Sequence, residues 1–146
     1  MSIQVLGIDG GPFDQNSVEV ISGRTLRSYV LLKLSGNYAT GGDTLDLTNG
    51  GGTAAAPSVI PPAQSRGLVS IDIRPFCKTT ASFSAADGQY YVIVPAAAAG
   101  ITPVPASALN ALKLKLMLDI ATEYSAGAYG ADALGDELVA ELTWAR

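Results

Sequence analysis

"TLRSYVLLKLSG", residues 25–36, is the stretch that points most directly to a fold class. Its side chains fall into two alternating sets, and a period of two belongs to a β-strand because successive side chains point to opposite faces. One predicted face carries Leu26, Val30, Leu32 and Leu34, and the other carries Arg27, Tyr29, Leu31 and Lys33. Gly36 and Asn37 are turn-forming residues and are predicted to end the strand.

The same alternation recurs further along the chain. "TLDLT", residues 44–48, places Leu45 and Leu47 on one face. "YYVIV", residues 90–94, is predicted to be a buried strand that ends at Pro95, and "KTTASFSA", residues 78–85, is predicted to be a short strand before it. In "GLVSIDIRP", residues 67–75, one predicted face carries Val69, Ile71 and Ile73, and the other carries Ser70, Asp72 and Arg74.

The last third of the chain mixes helix and strand signals. Leucines at every second position from Leu112 to Leu118 predict a strand from residue 112 onwards, while a helical turn over 106–111 stays open. In residues 131–144, Leu134, Leu138 and Leu142 suit a helix, whereas Leu138, Ala140, Leu142 and Trp144 suit a strand. Gly135 weakens a helix and the β-branched and aromatic residues favour a strand, so we predict a strand there.

These segments add up to seven or eight short strands without a βαβ rhythm, which predicts an all-β sandwich or barrel. A length of 146 residues fits one domain, 1–146. Residues 1–22, interrupted by Gly10, Gly11 and Pro12, are predicted to be either an N-terminal arm or an added edge strand. Two long loops are expected, over residues 49–66 and 96–106, because glycine and proline are concentrated in the first and alanine and proline in the second.

Composition limits the classes of partner. Charged residues make up 15% of the chain, against about 25% in an average soluble domain, so we expect copies of the chain or a partner to cover part of its surface. Residues 81–146 hold three basic and seven acidic side chains, which argues against nucleic acid as the main partner. The longest apolar run, "YYVIVPAAAAGI", is too short to span a membrane, and no secretory signal is recognisable.

Catalytic residues are not predicted. The chain has no histidine, which removes Ser-His-Asp and Cys-His systems and histidine-based zinc sites. The single Cys77 cannot form an internal disulfide and is expected to be an inert, half-buried residue. Asp43 and Asp46 are predicted to point to opposite faces of a strand, and a distant pairing such as Asp72 with Glu141 stays open.

The glycine-rich stretch "NYATGGDTLDLTNGGG", residues 37–52, has three interpretations: a metal loop, a phosphate cradle or a strand corner. Its acids are too few for a calcium loop, and no phosphate-binding lysine follows the glycines. We therefore predict a strand corner, with no metal and no cofactor. The tyrosines, including the adjacent Tyr90 and Tyr91, are expected in core or interface roles rather than as a sugar-stacking platform.

Two stretches resemble capsid decoration, or cement, proteins and similar small virion proteins of tailed bacteriophages. The first is "RSYVLLKLSGNYATGGDTLDLT", residues 27–48, and the second is "LKLKLMLDIATEYSAGAYGADALGDELVAELTW", residues 112–144. The positions that carry the resemblance are Tyr38, Gly41, Gly42, Asp43, Leu45, Asp46, Lys113, Leu114, Glu123, Ala126, Gly127, Ala128, Tyr129, Gly135 and Asp136.

The resemblance implies a β-sandwich of jelly-roll type that assembles as a homotrimer on the outer capsid surface and stabilises the lattice of major capsid proteins. It implies no catalysis, no nucleic-acid or membrane partner, and a location on the virion after assembly in the host cytoplasm. Two other hypotheses stay open: a tail or head-surface β module that binds host glycans or another virion protein, and a small hydrolase that works through acids alone.

Overall fold

The structure is a computed structural model. The described residues are 2–14, 19–22, 25–53, 56–57, 60, 66–77, 90–94, 107, 109–118, 121–128 and 136–145. The predicted strand at 78–85 and the predicted loop at 96–106 lie outside the described residues.

Twelve strands and no helix make up the regular structure of the described residues. The strands are β1 (Ser2–Leu6), β2 (Glu19–Ser22), β3 (Thr25–Ser35), β4 (Asn37–Tyr38), β5 (Asp43–Leu45), β6 (Gly52–Thr53), β7 (Ala56–Pro57), β8 (Leu68–Cys77), β9 (Tyr90–Val94), β10 (Leu112–Met117), β11 (Gly127–Ala128) and β12 (Asp136–Ala145). Within the described residues the predicted β-rich class is confirmed, and every strand pairing found there is antiparallel.

The largest sheet has five strands in the order β1-β3-β12-β8, with β2 also paired to β3. β12 pairs with residues 25–32 of β3, so β1 and β2, which pair with parts of that same range, both lie along the other side of β3. β12 is thus a central strand, with β3 on one side and β8 on the other. Pro75 lies in the edge strand β8, where a missing backbone N–H is tolerated.

A second sheet has three strands in the order β5-β10-β9. Leu112 of β10 lies opposite Leu45 of β5, and Leu114 lies opposite Ile93 of β9. The buried side chains of both sheets belong to one hydrophobic core. From the larger sheet they include Val30, Leu32, Leu138, Ala140 and Leu142, and from the smaller one Leu45, Leu112, Leu114 and Leu116. The inward faces predicted for β3, β5 and β10 are therefore confirmed.

A buried hydrogen bond lies within this core. The indole Nε1 of Trp144 donates to Ser28 Oγ at 2.8 Å, and both residues are fully buried. Trp144 is also among the largest fully buried side chains. A buried indole N–H without an acceptor would be costly, so Ser28 explains why a polar residue occupies the inward face of β3.

A β-bulge corrects the predicted face of Val69. Ser70 lies opposite Thr143, but the next pair is Leu68 with Trp144, so Val69 is an extra residue in β8. The bulge turns Leu68 into the core, where it is 3% exposed, and leaves Val69 41% exposed. Ile71 and Ile73 pack against the core as the alternation predicted.

The predicted sizes of the strands and loops need revision. Eight of the twelve described strands are three residues or longer, and β3, β8 and β12 each run ten or eleven residues rather than being short. The predicted loop at 49–66 contains the small paired strands β6 and β7. The strand predicted from residue 112 is confirmed, and residues 109–111 form a turn before it.

The N-terminal segment packs against the glycine triplet at 50–52. β1 is an edge strand of the five-stranded sheet, and its Ile3 and Val5 are part of the core. Phe13 is buried as well, and its backbone N–H donates to the Gly50 carbonyl at 2.7 Å. A Cβ on Gly50 would lie 2.6 Å from Phe13 Cβ, which is closer than real Cβ atoms approach. Gly50 is therefore required by close packing.

We expect Ser28→Ala to lower the free energy of unfolding by about 1–3 kcal/mol, because it leaves the buried Trp144 N–H without its acceptor. Trp144→Phe in the Ser28→Ala background is expected to cost less than Trp144→Phe alone, since the unsatisfied donor is then absent. Urea unfolding of the two single variants and the double variant measures both effects. Additive losses would show that the hydrogen bond contributes nothing.

Gly50→Ala is expected to lower the free energy of unfolding by about 1–3 kcal/mol, because the new methyl group overpacks against Phe13. Gly11→Ala is the matched control: Gly11 also lies in the loop region at this end, and the nearest atoms to a Cβ there belong to the Asp9 carboxylate, the closest at an ordinary 3.4 Å. We expect a change within about 0.5 kcal/mol for the control. Equal effects of the two substitutions in thermal or urea unfolding would contradict the packing role.

Candidate functional site

The two stretches that carry the sequence resemblance meet in space. Gly127 of β11 lies opposite Tyr38 of β4, and Ala128 lies opposite Asn37. Asp43, at the start of β5, lies opposite Leu114 of β10. Residues around position 40 and around position 125 thus form one local unit, although a large part of the chain separates them.

Tyr38 lies at the centre of this unit and is 2% exposed. Its hydroxyl donates to Glu123 Oε1 at 2.5 Å and accepts a hydrogen bond from the Leu116 backbone N–H at 3.3 Å. The Tyr124 ring meets the Tyr38 ring edge to face, with centroids 5.7 Å apart and an interplanar angle of 85°. The hydroxyl and the ring of Tyr38 therefore both have specific partners.

Glu123 is the acceptor that joins the two stretches. In addition to the Tyr38 hydroxyl, the backbone N–H of Gly41 donates to Glu123 Oε1. The Lys115 ammonium lies 3.2 Å from Glu123 Oε2, and the glutamate side chain is only 19% exposed. One carboxylate thus receives bonds from β4, from the loop that follows it and from β10.

The Gly-Gly-Asp sequence makes the loop compatible with this arrangement. Gly42 has φ +93°, and a Cβ there would lie 3.0 Å from the Leu114 carbonyl oxygen. The Gly42 N–H donates to the Ala39 carbonyl at 2.9 Å, and the Ala39 N–H donates to Asp43 Oδ1 at 3.1 Å. Asp43, 1% exposed, therefore closes the turn with its side chain.

The environment shifts the pKa values of the central pair in opposite directions. Burial and the hydrogen bond to Glu123 raise the pKa of the Tyr38 hydroxyl far above its ordinary value. The hydrogen bond from Tyr38 lowers the pKa of Glu123 below its ordinary value, and the Gly41 N–H and Lys115 act in the same direction against a smaller effect of burial. The pair is therefore neutral tyrosine with ionised glutamate across the ordinary pH range.

The acids considered as a catalytic pair do not form one site. Asp46 accepts hydrogen bonds from the backbone N–H and the hydroxyl of Thr48, whereas Asp43 accepts one from the Ala39 N–H in the turn before β5. Asp72 and Glu141 are direct cross-strand partners in the five-stranded sheet, a juxtaposition the sequence left open. Glu141 Oε1 lies 2.9 Å from Arg27 Nε, so a cation already neutralises it.

The other candidates add no chemistry within the described residues. The described part has no group of three or more histidine, cysteine, aspartate or glutamate residues placed to hold a metal ion. Of the tyrosine side chains that the structure describes, Tyr29, Tyr91 and Tyr124 are half-buried and Tyr38 is buried. The Cys77 backbone lies in β8, but its side chain is outside the described part. No helix among the described residues is long and apolar enough to cross a membrane.

The sequence did not predict the Tyr38–Glu123 contact, although it singled out both residues. They lie 85 positions apart, so no local spacing or periodicity connects them. The useful signal was that each lies in a stretch with the same family resemblance. Lys115, the third member, is not one of the positions that carry the resemblance.

Comparisons with protein-family models, with curated proteins and with solved structures found no match.

We expect Tyr38→Phe to lower the free energy of unfolding at pH 7 by about 1–3 kcal/mol, since it removes the hydrogen bond to the charged Glu123 and the acceptor of the Leu116 N–H. Because folding lowers the pKa of Glu123, its ionised carboxylate stabilises the fold at pH values above the pKa of the unfolded state, near 4.5. This stabilisation is lost as the pH falls through the lower pKa of the folded state. The difference between wild type and Tyr38→Phe should therefore shrink on acidification from pH 5 towards pH 3, as measured by urea unfolding at each pH.

Tyr29→Phe is the matched control for this experiment. Its hydroxyl accepts from the Arg27 guanidinium at 3.3 Å in the five-stranded sheet, away from Glu123. We expect its difference from wild type to stay constant over the same pH range. A pH-independent effect of Tyr38→Phe would contradict the role assigned to the Tyr38 hydroxyl.

Proposed function

We propose that this chain is a structural subunit of a tailed-bacteriophage virion, a decoration or cement protein that binds the outer capsid surface. Its partners are the major capsid protein and two further copies of itself. The subunit reinforces contacts between neighbouring capsid proteins and performs no catalytic step. It is present in the host cytoplasm during assembly and on the capsid surface afterwards.

One observation carries the proposal: the two stretches that resemble virion proteins form a single bonded unit. Tyr38 and Glu123 are both positions of the resemblance, and their side chains share a hydrogen bond of 2.5 Å. Gly42 and Leu114 are also such positions, and only a glycine fits against the Leu114 carbonyl. A sequence pattern inherited with a fold is expected to mark residues that contact one another, and these residues do.

The same proposal extends to the finer architecture, a β-sandwich of jelly-roll type over residues 1–146. Its support is the shared core, in which buried residues of the five-stranded and the three-stranded sheet belong to one cluster. Two sheets that bury one face each against a common core are the basis of a sandwich.

The proposed mechanism needs only complementary surface. A standard protein interface covers about 800 Å² on each partner, which is a modest part of a subunit with 7895 Å² of accessible surface. Three linked copies bind a lattice more tightly than one, because the second and third contacts are effectively intramolecular. The low charged fraction of 15% suits a subunit whose surface is partly covered in the assembly.

An ordered N-terminal turn is the part of the described surface best suited to a capsid contact. Ile8 is 52% exposed at this turn. The Gly7 N–H donates to the Gly11 carbonyl at 2.7 Å, and the Gly10 N–H donates to the Gly7 carbonyl at 2.9 Å. Because these bonds already order the backbone of the turn, the segment around Ile8 loses little backbone freedom on binding.

The proposal predicts a homotrimer in solution and heat-resistant capsids in its presence. Native mass spectrometry measures the first, and thermal disruption of phage capsids assembled with and without the protein measures the second. A monomer that neither binds capsids nor changes their thermal stability would contradict the proposal.

Two substitutions test the contact separately from the function. We expect Ile8→Asp to weaken capsid binding at least about tenfold, which corresponds to losing an interface anchor that contributes about 1.4 kcal/mol or more. Val69→Asp is the matched control, because Val69 is comparably exposed at 41% but lies in the edge strand β8. Equal binding by both variants would exclude the turn as the contact and leave capsid binding itself to the first experiment.

A further inference from the structure

Two segments, residues 39–42 and residues 121–128, lie next to the Tyr38–Glu123 hydrogen bond, and we refer to them together as the clamp. Each segment is held in place without the other. The Gly42–Ala39 backbone bond and the Asp43 side chain order the first segment. The second extends the β10 hairpin, in which the Leu118 N–H donates to Thr122 at 2.8 Å and the Tyr124 N–H donates to Leu116 at 2.9 Å.

The Glu123 carboxylate joins the two segments, because it accepts a hydrogen bond from the Gly41 N–H of the first segment. It also accepts from the hydroxyl of Tyr38, which precedes that segment in β4, and β4 pairs with β11 through two residue pairs. Hydrogen bonds to a charged acceptor are roughly twice as strong as neutral ones. The charge of Glu123 therefore strengthens the bonds that join the segments.

The described residues place several charged and titratable groups around Glu123. Tyr38 on β4 donates to it, and Lys115 on β10 forms its ion pair. Asp43 on β5 adds a second negative charge near Tyr38. The Lys113 ammonium bonds to Thr44 instead, and the Tyr124 hydroxyl donates to the Ala128 carbonyl. Lys115 is thus the one cation that the described contacts place on the Glu123 carboxylate.

We propose that the clamp is an acid-sensitive device: the ionised carboxylate of Glu123 holds it closed, and protonation lets it open while the five-stranded sheet stays folded. Protonation removes the ion pair with Lys115 and converts two charge-assisted hydrogen bonds into neutral ones. The five-stranded sheet does not depend on Glu123, because its long ladders and its Trp144–Ser28 bond lie elsewhere. Local opening of weakly bonded segments is a general property of folded proteins.

Amide hydrogen exchange followed by NMR on the full chain tests this inference. At pH 7 we expect Glu123→Gln to raise the exchange rates of the Gly41 and Ala128 amides at least about tenfold over wild type. The rates of Val30 and Ala140, in the core of the five-stranded sheet, should stay within about twofold. In wild type, the exchange rates at the clamp, corrected for the intrinsic pH dependence of exchange, should rise below pH 4.5, the ordinary glutamate pKa. In Glu123→Gln, the corrected rates should not rise on acidification.

Glu141→Gln is the matched control, because Glu141 is also ion-paired and its side chain is similarly buried, at 21% exposed against 19% for Glu123. We expect no change at Gly41 or Ala128 in this variant. Unchanged exchange at Gly41 in Glu123→Gln would overturn the proposal. An equal rise at Gly41 and Val30 would also overturn it, since the opening would then be global.

Discussion

The buried hydroxyl of Tyr38 imposes the constraint on which the local unit depends. A hydroxyl removed from water needs a partner that supplies a hydrogen-bond acceptor. Glu123 does so from 85 positions away. Once the two are paired, β4 must lie beside β11, the loop at 39–42 must lie against β10, and only glycine fits at position 42. One polar contact therefore fixes the relative placement of several elements.

Apolar burial and polar contacts have different roles in this chain. The shared apolar core supplies the main free energy of folding. Burial of leucine and valine side chains is not directional, so it does not by itself select one arrangement of the strands. The Trp144–Ser28 bond and the Tyr38–Glu123 bond discriminate between alternatives, because a shifted register would leave a buried donor unsatisfied. The first bond acts within the five-stranded sheet, and the second acts between segments outside it.

The sequence predicted the strands with a clean period of two and failed where a single residue broke that period. β3 and β10 have the predicted inward faces because no insertion disturbs their alternation. In β8 the alternation was right for Ile71 and Ile73 and wrong for Val69, since a bulge is determined by the partner strand and not by the residues of β8 alone. The pairing order of the strands was not predictable either, because it depends on contacts between distant residues.

For the candidate site, the sequence predicted that Asp43 and Asp46 do not converge, and the structure gives them separate hydrogen-bond partners. It also predicted a strand corner, and Gly41 and Gly42 lie in the turn that leads into β5. The sequence did not explain why glycines are needed there. Gly50 and Gly42 are required by contacts with Phe13 and Leu114, residues that no local pattern connects to them. The structure also placed Asp72 opposite Glu141, which period-two reasoning within one strand cannot determine.

The central claim is that Tyr38 and Glu123 act as one unit, and a double-mutant cycle tests it most directly. The free energies of unfolding of wild type, Tyr38→Phe, Glu123→Gln and the double variant give the coupling energy of the pair. We predict a coupling of about 1 kcal/mol or more, whereas Tyr29→Phe with Glu123→Gln should be additive within about 0.5 kcal/mol. Additivity of Tyr38→Phe and Glu123→Gln would contradict the account.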